Sequence, residues 1–547
     1  MTPESATFED HVLSIVDRFL QTVIVVDDRA FTEPVYTAVE SEEEAVEAPG
    51  GRAVHGEFGA PPLDEHDLDA KKVTDAFARS GLICGLLQPR PGADIDDELI
   101  ESARRADLIV LDWVLNRDEG RKALELIRRL LDGQGAQPEI QRLRTIAIYT
   151  GQPNLLEIAA KLHEVIEKIY EGEELREYDD GLTLMKGPVR IAVFAKENTS
   201  DLRAELEDRR VPFDGLPARM RREFGALTKG LVTVVALSAL AALREDTHRI
   251  LKVLNENLDA AYLGHRSVLP VPSDAQSHAV SLISAEFTSV IEDHNIGEQV
   301  NWSALSLWLD QAGGDDHNFG KLLELSGDRK PITIDQVREM VSRGLGTDEG
   351  LDAVAELGGT SKGQWKQIKK QAARIFASTL EDADESEAQL AQCLTLKTTY
   401  THPERMLQLG TIVAHEGDYL VCVQPVCDSV RLKPEVRAFP FLKLEKSDRS
   451  RSHFALPRAG ANGPQYVLLT TNPRDLVVAR FKPQAGHDTI CAVQARREYV
   501  FKDTSHRPFR WVGQLKSEFA QKVAVDLAQE FAQVAVNEVE VLRLARR

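Results

Sequence analysis

Cysteine, basic residues and long apolar runs are scarce in this sequence of 547 residues. Five cysteines, an odd number spread thinly, do not make a disulfide framework and indicate a reducing compartment. The first residues lack the basic start and apolar run of a signal peptide, and the longest apolar stretch, Gly230 to Leu243, is too short to cross a membrane. We therefore predict a soluble, cytoplasmic protein without a membrane partner.

The shortage of basic residues also narrows the choice of partners. Lysine and arginine number 66 against 87 aspartates and glutamates, which gives a formal net charge of -21. Such a charge opposes sequence-independent contact with a phosphate backbone, so we predict no nucleic-acid partner. Motifs of several enzyme classes are missing too: there is no Walker A loop, no His-Glu-x-x-His, no Gly-x-Ser-x-Gly and no dinucleotide-binding glycine fingerprint.

The remaining patterns divide the chain into three regions. Residues 1–210 alternate short β-branched runs with helical segments, residues 211–395 have helical periodicity, and residues 396–547 alternate like an antiparallel sheet before a final helix. Polar stretches at about 29–68 and 171–188 are predicted insertions in the first region. We predict an α/β doubly wound parallel sheet, then an all-α region, then a C-terminal antiparallel β-rich domain with a closing helix.

Polar side chains follow four strands of the predicted parallel sheet. They are Asp27 and Asp28 after the first strand, Asp112 after the run 107–111, Thr150 after 145–149 and Lys196 after 189–195. Because parallel strands end at one edge of a sheet, these side chains should converge. Three carboxylates brought together need a shared cation, and their oxygens suit magnesium. A hydroxyl and an ammonium complete a set that can hold a phosphoryl group on one carboxylate.

The arrangement resembles the receiver domain of two-component response regulators. The resemblance rests on Val-Val-Asp27-Asp28, Asp107-Leu-Ile-Val-Leu-Asp112-Trp-Val-Leu, Gly120, Tyr-Thr150-Gly and Phe-Ala-Lys196. It implies that Asp112 is the phosphoacceptor and that Asp28, Asp112 and the carbonyl of Val114 hold magnesium, with Asp27 assisting through water. It further implies that Thr150 and Lys196 contact the phosphoryl oxygens. The implied donor is a histidine kinase or a phosphotransfer protein, and helices after a receiver could support a homodimer.

Some positions depart from the usual receiver pattern. Val193 stands where many receivers have an aromatic switch residue, Glu197 where a proline commonly follows the lysine, and Asn116 where a proline commonly follows the acceptor. These departures argue against the usual output route, in which an aromatic residue moves together with the threonine. They leave the five residues of the phosphorylation chemistry unchanged. Val114 is apolar at a position that tunes dephosphorylation in the family, so we predict slow autohydrolysis.

Three interpretations of the whole chain stay open. In the first, it is a phosphoacceptor with a non-DNA-binding regulatory or buffering output, similar to large receivers of bacterial phosphorelay operons, some of them linked to anti-phage defence. In the second, the receiver switches an effector or enzyme in the C-terminal half, where Cys422, Cys427, Asp428 and Arg431 are the candidate residues. In the third, the receiver is a phosphorylation-silent interaction module. Packed strand residues are the alternative interpretation of both cysteines.

Overall fold

A computed structural model describes residues 6–30, 67–90, 97–131, 143–169, 174–179, 181–312, 319–324, 332–400, 404–448, 452–457, 464–484, 486–495 and 498–532. The chain divides into two compact units, Met1–Ala312 and Gly313–Arg547. The predicted insertion at about 29–68 lies almost wholly outside the described residues.

The N-terminal unit is built on an eight-stranded sheet. Its strands are β1 (Thr22–Val26), β2 (Ile83–Leu87), β3 (Leu108–Leu111), β4 (Arg144–Thr150), β5 (Leu175–Tyr178), β6 (Thr183–Lys186), β7 (Val189–Lys196) and β8 (Arg210–Val211). The order is β2-β1-β3-β4-β7-β6-β5, and β8 pairs with β7. Strands β2, β1, β3, β4 and β7 are parallel, whereas β5 and β6 form an antiparallel hairpin. This hairpin lies in the predicted insertion at 171–188 and extends the sheet beyond β7.

Eleven α-helices are described in this unit. They are α1 (Phe8–Phe19), α2 (Ala70–Arg79), α3 (Asp97–Arg105), α4 (Arg121–Leu131), α5 (Leu155–Glu167), α6 (Leu216–Thr228), α7 (Leu231–Glu245), α8 (Thr247–Val253), α9 (Asp259–Val268), α10 (Ala275–Asp293) and α11 (Trp302–Ala312). No single described helix has the length and apolarity of a membrane span; α6 and α7 meet that test only when taken together, and a bend of 120° separates them.

Alternating side chains of the parallel strands build two cores. In β3, Ile109 and Leu111 point into one core, while Leu108 and Val110 point into the other, and all four are buried. The first core is closed by α3, α4 and α5, and the second by α1, α2, α6 and α7. A strand covered on both faces needs an uninterrupted apolar run, which explains the sequence of β3.

The described residues of the C-terminal unit form five α-helices and an antiparallel sheet. The helices are α12 (Ile334–Arg343), α13 (Asp348–Glu356), α14 (Lys362–Ile368), α15 (Leu380–Thr395) and α16 (Ser517–Ala532). The strands are β9 (Thr411–His415), β10 (Asp418–Cys422), β11 (Arg437–Lys446), β12 (Phe454–Leu456), β13 (Gln465–Leu469), β14 (Leu476–Phe481), β15 (Val493–Ala495), β16 (Glu498–Lys502) and β17 (Pro508–Gln514).

The nine strands pair in the order β12-β13-β11-β10-β9-β17-β16-β15, with β14 against β11. Helix α16 closes one face of this sheet through Ala520, Val523 and Leu527. A mostly parallel sheet, a run of helices and an antiparallel sheet with a closing helix confirm the predicted fold class.

Candidate functional site

The carboxyl edge of the N-terminal sheet brings the predicted polar residues to neighbouring strand ends. Val26 lies opposite Leu111 in the pairing of β1 with β3, so Asp27 and Asp112 emerge side by side. Thr150 lies opposite Ala195 in the pairing of β4 with β7, which places Lys196 one residue beyond it. The order of the parallel strands reverses between β1 and β3, and this is where doubly wound sheets bind their ligands.

Lys196 is the centre of the cluster. Its ammonium nitrogen Nζ lies 2.7 Å from Oδ2 of Asp27 and 3.1 Å from Oδ2 of Asp112. Its side chain is fully buried, as are both carboxylates to within a few per cent. One ammonium and two carboxylates carry a net charge of −1 when both carboxylates are ionised. The carboxylate of Asp28 adds further negative charge. The cluster therefore attracts a further cation.

Burial and charge set the proton affinities in the cluster. Burial is the largest cause that raises the pKa of Asp112 to about 7; Lys196 opposes this rise, while Asp27 and Asp28 add to it. Burial would lower the pKa of Lys196, but the two carboxylates outweigh that effect and raise it. Lys196 is thus charged at neutral pH, and Asp112 binds a proton more readily than an ordinary aspartate.

Two buried carboxylate oxygens in the cluster have no hydrogen-bond partner among the residues that the structure describes. They are Oδ1 of Asp28 and Oδ1 of Asp112. The other oxygen of Asp28 accepts a hydrogen bond of 2.9 Å from the backbone N–H of Asn116, which fixes the orientation of that carboxylate. Carboxylate oxygens of Asp27, Asp28 and Asp112 lie within 4.8 Å of one another. Buried, unpartnered oxygens at this spacing fit a divalent cation with oxygen ligands, and magnesium is such a cation.

Thr150 is buried at the end of β4. Its hydroxyl oxygen accepts a hydrogen bond of 3.2 Å from the N–H of Gln152, and its carbonyl accepts one of 3.2 Å from the hydroxyl of Thr199. The hydroxyl proton of Thr150 stays available as a donor. Val114 is half-buried against the first core, and its predicted part in holding magnesium stays a prediction.

The loop after Asp112 has a backbone shape that the sequence analysis did not anticipate. Asn116, Arg117, Glu119 and Gly120 all have positive φ, with values of 57°, 61°, 58° and 93°. A Cβ atom on Gly120 would lie 2.2 Å from the indole of Trp113. Gly120 therefore lets the loop pass directly over the residue that follows Asp112. The glycine eight positions after an aspartate was the only signal of this contact in the sequence.

Other contacts could not be read from the sequence. The structure places Asp27 directly against Lys196, and its predicted contact with magnesium through water stays a prediction. The hydroxyl of Tyr149 donates a hydrogen bond of 2.7 Å to the carbonyl of Val211, which ties the strand that carries Thr150 to the segment before α6. Val193, at the position of the expected switch residue, is buried in the first core.

The candidate residues of the C-terminal half lie in different surroundings. Cys422 is buried in the sheet, and burial raises the pKa of its thiol to about 12. Cys427, Asp428 and Arg431 are exposed around a short turn of 3-10 helix. The thiol of Cys422 is therefore protonated at neutral pH, and the two cysteines face different surroundings. An effector site at these residues stays a prediction.

Comparison with known proteins agrees with this geometry. No curated protein and no solved structure matches the chain. The family model of the response receiver domain matches residues 19–201, which contain all five converging side chains and β1 to β7, and no family is recognised in the C-terminal half. Residues 19–201 of this chain thus form a response receiver domain.

Proposed function

We propose that this protein is a phosphoacceptor of a histidine–aspartate phosphorelay, acting in the cytoplasm, with Asp112 as the acceptor. The observation that carries the proposal is the buried cluster of Asp27, Asp28, Asp112 and Lys196, in which one oxygen of Asp112 has no partner within the described part of the chain. That oxygen is free to form a new bond, whereas the other is held by Lys196. A receiver domain over residues 19–201 supports the same role.

The transfer is a substitution at phosphorus. An oxygen of the Asp112 carboxylate attacks the phosphorus of a phosphohistidine on the donor, a P–O bond forms, and the P–N bond breaks. The ring nitrogen of the donor keeps the electron pair of that bond and takes up a proton from solvent. Asp112 must be deprotonated to attack, and neighbouring positive charge favours that state.

Lys196 and Thr150 would hold the transferred group. Lys196 already lies 3.1 Å from Asp112, so its ammonium is placed to pair with an oxygen of a phosphoryl group bonded there. The Thr150 hydroxyl, at the end of the next strand, would donate a hydrogen bond to a second oxygen. Charge-assisted bonds of this kind are the strong ones in a buried site.

Asp28 and Asp112 would hold magnesium, with the carbonyl of Val114 as a third ligand and Asp27 contributing through water. The unpartnered oxygen of Asp28 supports the first assignment, and the oxygen of Asp112 that does not form the bond to phosphorus would be the second ligand. Bound magnesium would neutralise the carboxylates and the incoming phosphoryl oxygens.

The donor we propose is a histidine kinase or a phosphotransfer protein, and the output is regulation or buffering by protein contacts rather than DNA binding. The net charge of -21 supports an output without nucleic acid. Slow autohydrolysis, expected from the apolar Val114, would suit either a switch or a store of phosphoryl groups.

The test is incubation of the purified protein with a small phosphodonor and magnesium, followed by intact-mass analysis. We expect a gain of one phosphate that is absent in Asp112→Asn. Asp118→Asn is the matched control, because this nearby buried carboxylate lies outside the cluster and accepts hydrogen bonds from the backbone of Gly120 and Lys122. If wild type stays unmodified with the small donor and with candidate histidine kinases, the silent-module interpretation replaces this proposal.

We also propose that a second copy of this chain is a partner, through the arm formed by α8, α9 and α10. No residue of α8 or α9 is buried, and Ala275 is the single buried residue of α10. The exposed apolar side chains of the arm include Leu251, Leu263, Val280, Leu282, Ile283 and Phe287. A helix that is apolar on several sides normally packs against another surface.

The chemistry of α10 favours a second copy over other partners. Residues 275–285 contain no Asp, Glu, Lys or Arg, so two chains of charge -21 could meet there without direct repulsion. The hydroxyls of Ser281 and Ser284 donate to backbone carbonyls of α10, and that of Ser277 donates to the carbonyl of Asp274 just before it, so burying them costs little. An arm about 28 Å long and two helices wide can supply the roughly 800 Å² per partner that stable interfaces bury.

A further inference from the structure

A second group of metal-binding residue types lies in the C-terminal unit, far along the chain from the receiver. Glu404, His487 and Cys491 bring a carboxylate, an imidazole and a thiol together. Sγ of Cys491 lies 3.9 Å from Oε2 of Glu404 and 4.0 Å from Nδ1 of His487. Nδ1 of His487 lies 3.9 Å from the other oxygen of Glu404, Oε1.

These distances join four atoms, because Glu404 presents Oε2 to Cys491 and Oε1 to His487. One ligand atom from each of the three residues lies within 4.8 Å of the other two. With a Zn–S bond of about 2.3 Å and Zn–N and Zn–O bonds of about 2.0–2.2 Å, the ligand atoms of a tetrahedral zinc ion lie about 3.3–3.8 Å apart. The three groups therefore need to move only slightly to reach the spacing that zinc requires.

The backbone holds this geometry from both sides of Cys491. The N–H of Leu407 donates 2.8 Å to the carbonyl of Ile490, and the N–H of Ala492 donates 2.8 Å to the carbonyl of Arg405. Met406 and Cys491 form an antiparallel bridge between these two bonds. The strand-like pairing fixes Cys491 beside the segment that carries Glu404, and Leu407 and Ile490 anchor it in the core.

The surroundings suit a metal better than a catalytic thiol. Burial is the largest cause that raises the pKa of the Cys491 thiol, and Glu404 adds to it. A bound cation would replace the proton of this thiol. The hydroxyl of Thr489 lies 3.2 Å from the sulfur and can donate to a thiolate.

The site is open to solvent and to a neighbouring cavity. Cys491 is 7% exposed, while the side chains of His487 and Glu404 are 38% and 65% exposed, so an ion can enter from outside. Cys491 also lines a cavity of about 380 Å³ together with Lys482, Lys502, Asp503 and His506. Three protein ligands leave at least one coordination position free for water or another small molecule.

We propose that Glu404, His487 and Cys491 form a binding site for zinc. Soft thiolate combined with imidazole and carboxylate favours zinc over magnesium or calcium, which take oxygen ligands. His487 and Cys491 are four positions apart in a loop, but Glu404 lies more than eighty positions earlier, so ligand spacing in the sequence did not reveal the site.

The test uses cobalt as a spectroscopic probe for zinc in the full-length protein. The chain is treated with a chelator, returned to buffer with excess Mg²⁺ to occupy the acidic cluster of the receiver, and titrated with Co²⁺. We expect a thiolate-to-cobalt charge-transfer absorption that saturates at one ion per chain and disappears when Zn²⁺ is added.

Single substitutions test whether the sulfur of Cys491 is the ligand that gives this absorption. Cys491→Ser should abolish the absorption, and His487→Ala should weaken Co²⁺ binding on the order of a hundredfold or more. Cys427→Ser is the matched control, since it removes an exposed thiol of the same unit, and should leave the titration unchanged. Circular dichroism verifies that each variant is folded, and the exposed His487 can be replaced without disturbing the core. No absorption in wild type, or absorption that persists in Cys491→Ser, would overturn the proposal.

Discussion

At the scale of single residues, Asp112 carries two competing demands. In the proposed role it would have to be charged to bind a cation and to attack phosphorus, yet burial raises its pKa to about 7. Protons and magnesium would then compete for the same carboxylate. This competition would make the acidic cluster sensitive to pH in the neutral range, where isolated aspartates are insensitive.

The pH dependence of magnesium binding follows from this pKa. Below pH 7 most Asp112 side chains are protonated, and above it most are charged, so affinity should rise by about tenfold from pH 6 to pH 8 and then level off. Calorimetric titration with Mg²⁺ at a series of pH values measures it. Asp112→Asn should bind weakly at every pH. A flat profile in wild type would mean that Asp112 is not a ligand.

Gly120 offers a second prediction at this scale. Gly120→Ala places a methyl group 2.2 Å from the Trp113 indole at a φ of 93°, so the unfolding free energy should fall by roughly 2–4 kcal/mol. Gly81→Ala is the control, because Gly81 has a φ of 77° and open space around it, and should cost only about 1 kcal/mol. Urea denaturation compares the two. Equal losses would show that the indole moves aside.

At the scale of elements, the receiver sheet is covered by helices from outside the residues that match the receiver family. The second core contains Val12 and Val16 of α1, Phe224 of α6 and Val234 of α7. The family match covers residues 19–201 and includes none of these side chains. These helices, which lie before and after the matched residues, thus supply part of the core of the domain.

A fragment experiment tests this dependence. The fragment 19–201 would expose the apolar face that α1, α6 and α7 cover, so we expect it to be insoluble or to lack a cooperative thermal transition. The longer fragment 1–312 should be soluble and melt cooperatively. Expression of both with scanning calorimetry gives the comparison. A stable, monomeric 19–201 fragment would show that the three helices are dispensable.

A buried ionic network adds to the attachment of α6. Glu223 of α6 accepts from Arg190 of β7 at 2.7 Å and lies 3.2 Å from Nε of Arg219. Arg209, also buried, reaches Asp179 of the hairpin turn at 2.6 Å. The charges of Arg190 and Glu223 are buried deeply enough to depend on each other, so β7 and α6 are coupled.

The sequence was sufficient to predict the strands, but not the packing contacts between one element and another. Apolar runs that end in Asp27, Asp112, Thr150 and Lys196 were enough to predict a parallel sheet and the convergence at its edge. Periodicity shows that a face is buried but not which element covers it, so α6 was assigned to a separate helical region. The contact between Arg190 and Glu223 depends on the packing of α6, which local patterns do not encode.

At the scale of the whole molecule, the proposed dimer predicts the oligomeric state. The arm of α8 to α10 should join two copies, so light scattering of the purified chain at micromolar concentration should give twice the mass of one chain. Replacing Ile283 and Phe287 together by glutamate puts charge on the exposed face of α10 and should give a monomer.

Leu156→Glu is the matched control for that experiment. Leu156 is an exposed apolar residue of α5 in the same unit, outside the arm, so its replacement should leave the mass unchanged. A wild-type protein that stays monomeric throughout would contradict the proposal and direct attention to a different partner for α10.

Trp113 gives the receiver an optical reporter of its own state. It is joined by a peptide bond to Asp112, is 3% exposed, and lies under the loop at Gly120 with the ammonium of Lys161 at 5.8 Å from its ring. Indole emission responds to nearby charge and to rearrangement of the atoms around it. With only five tryptophans in the chain, four of them replaceable in turn, light emitted by this one side chain could time each arrival and departure of a phosphoryl group without any added label.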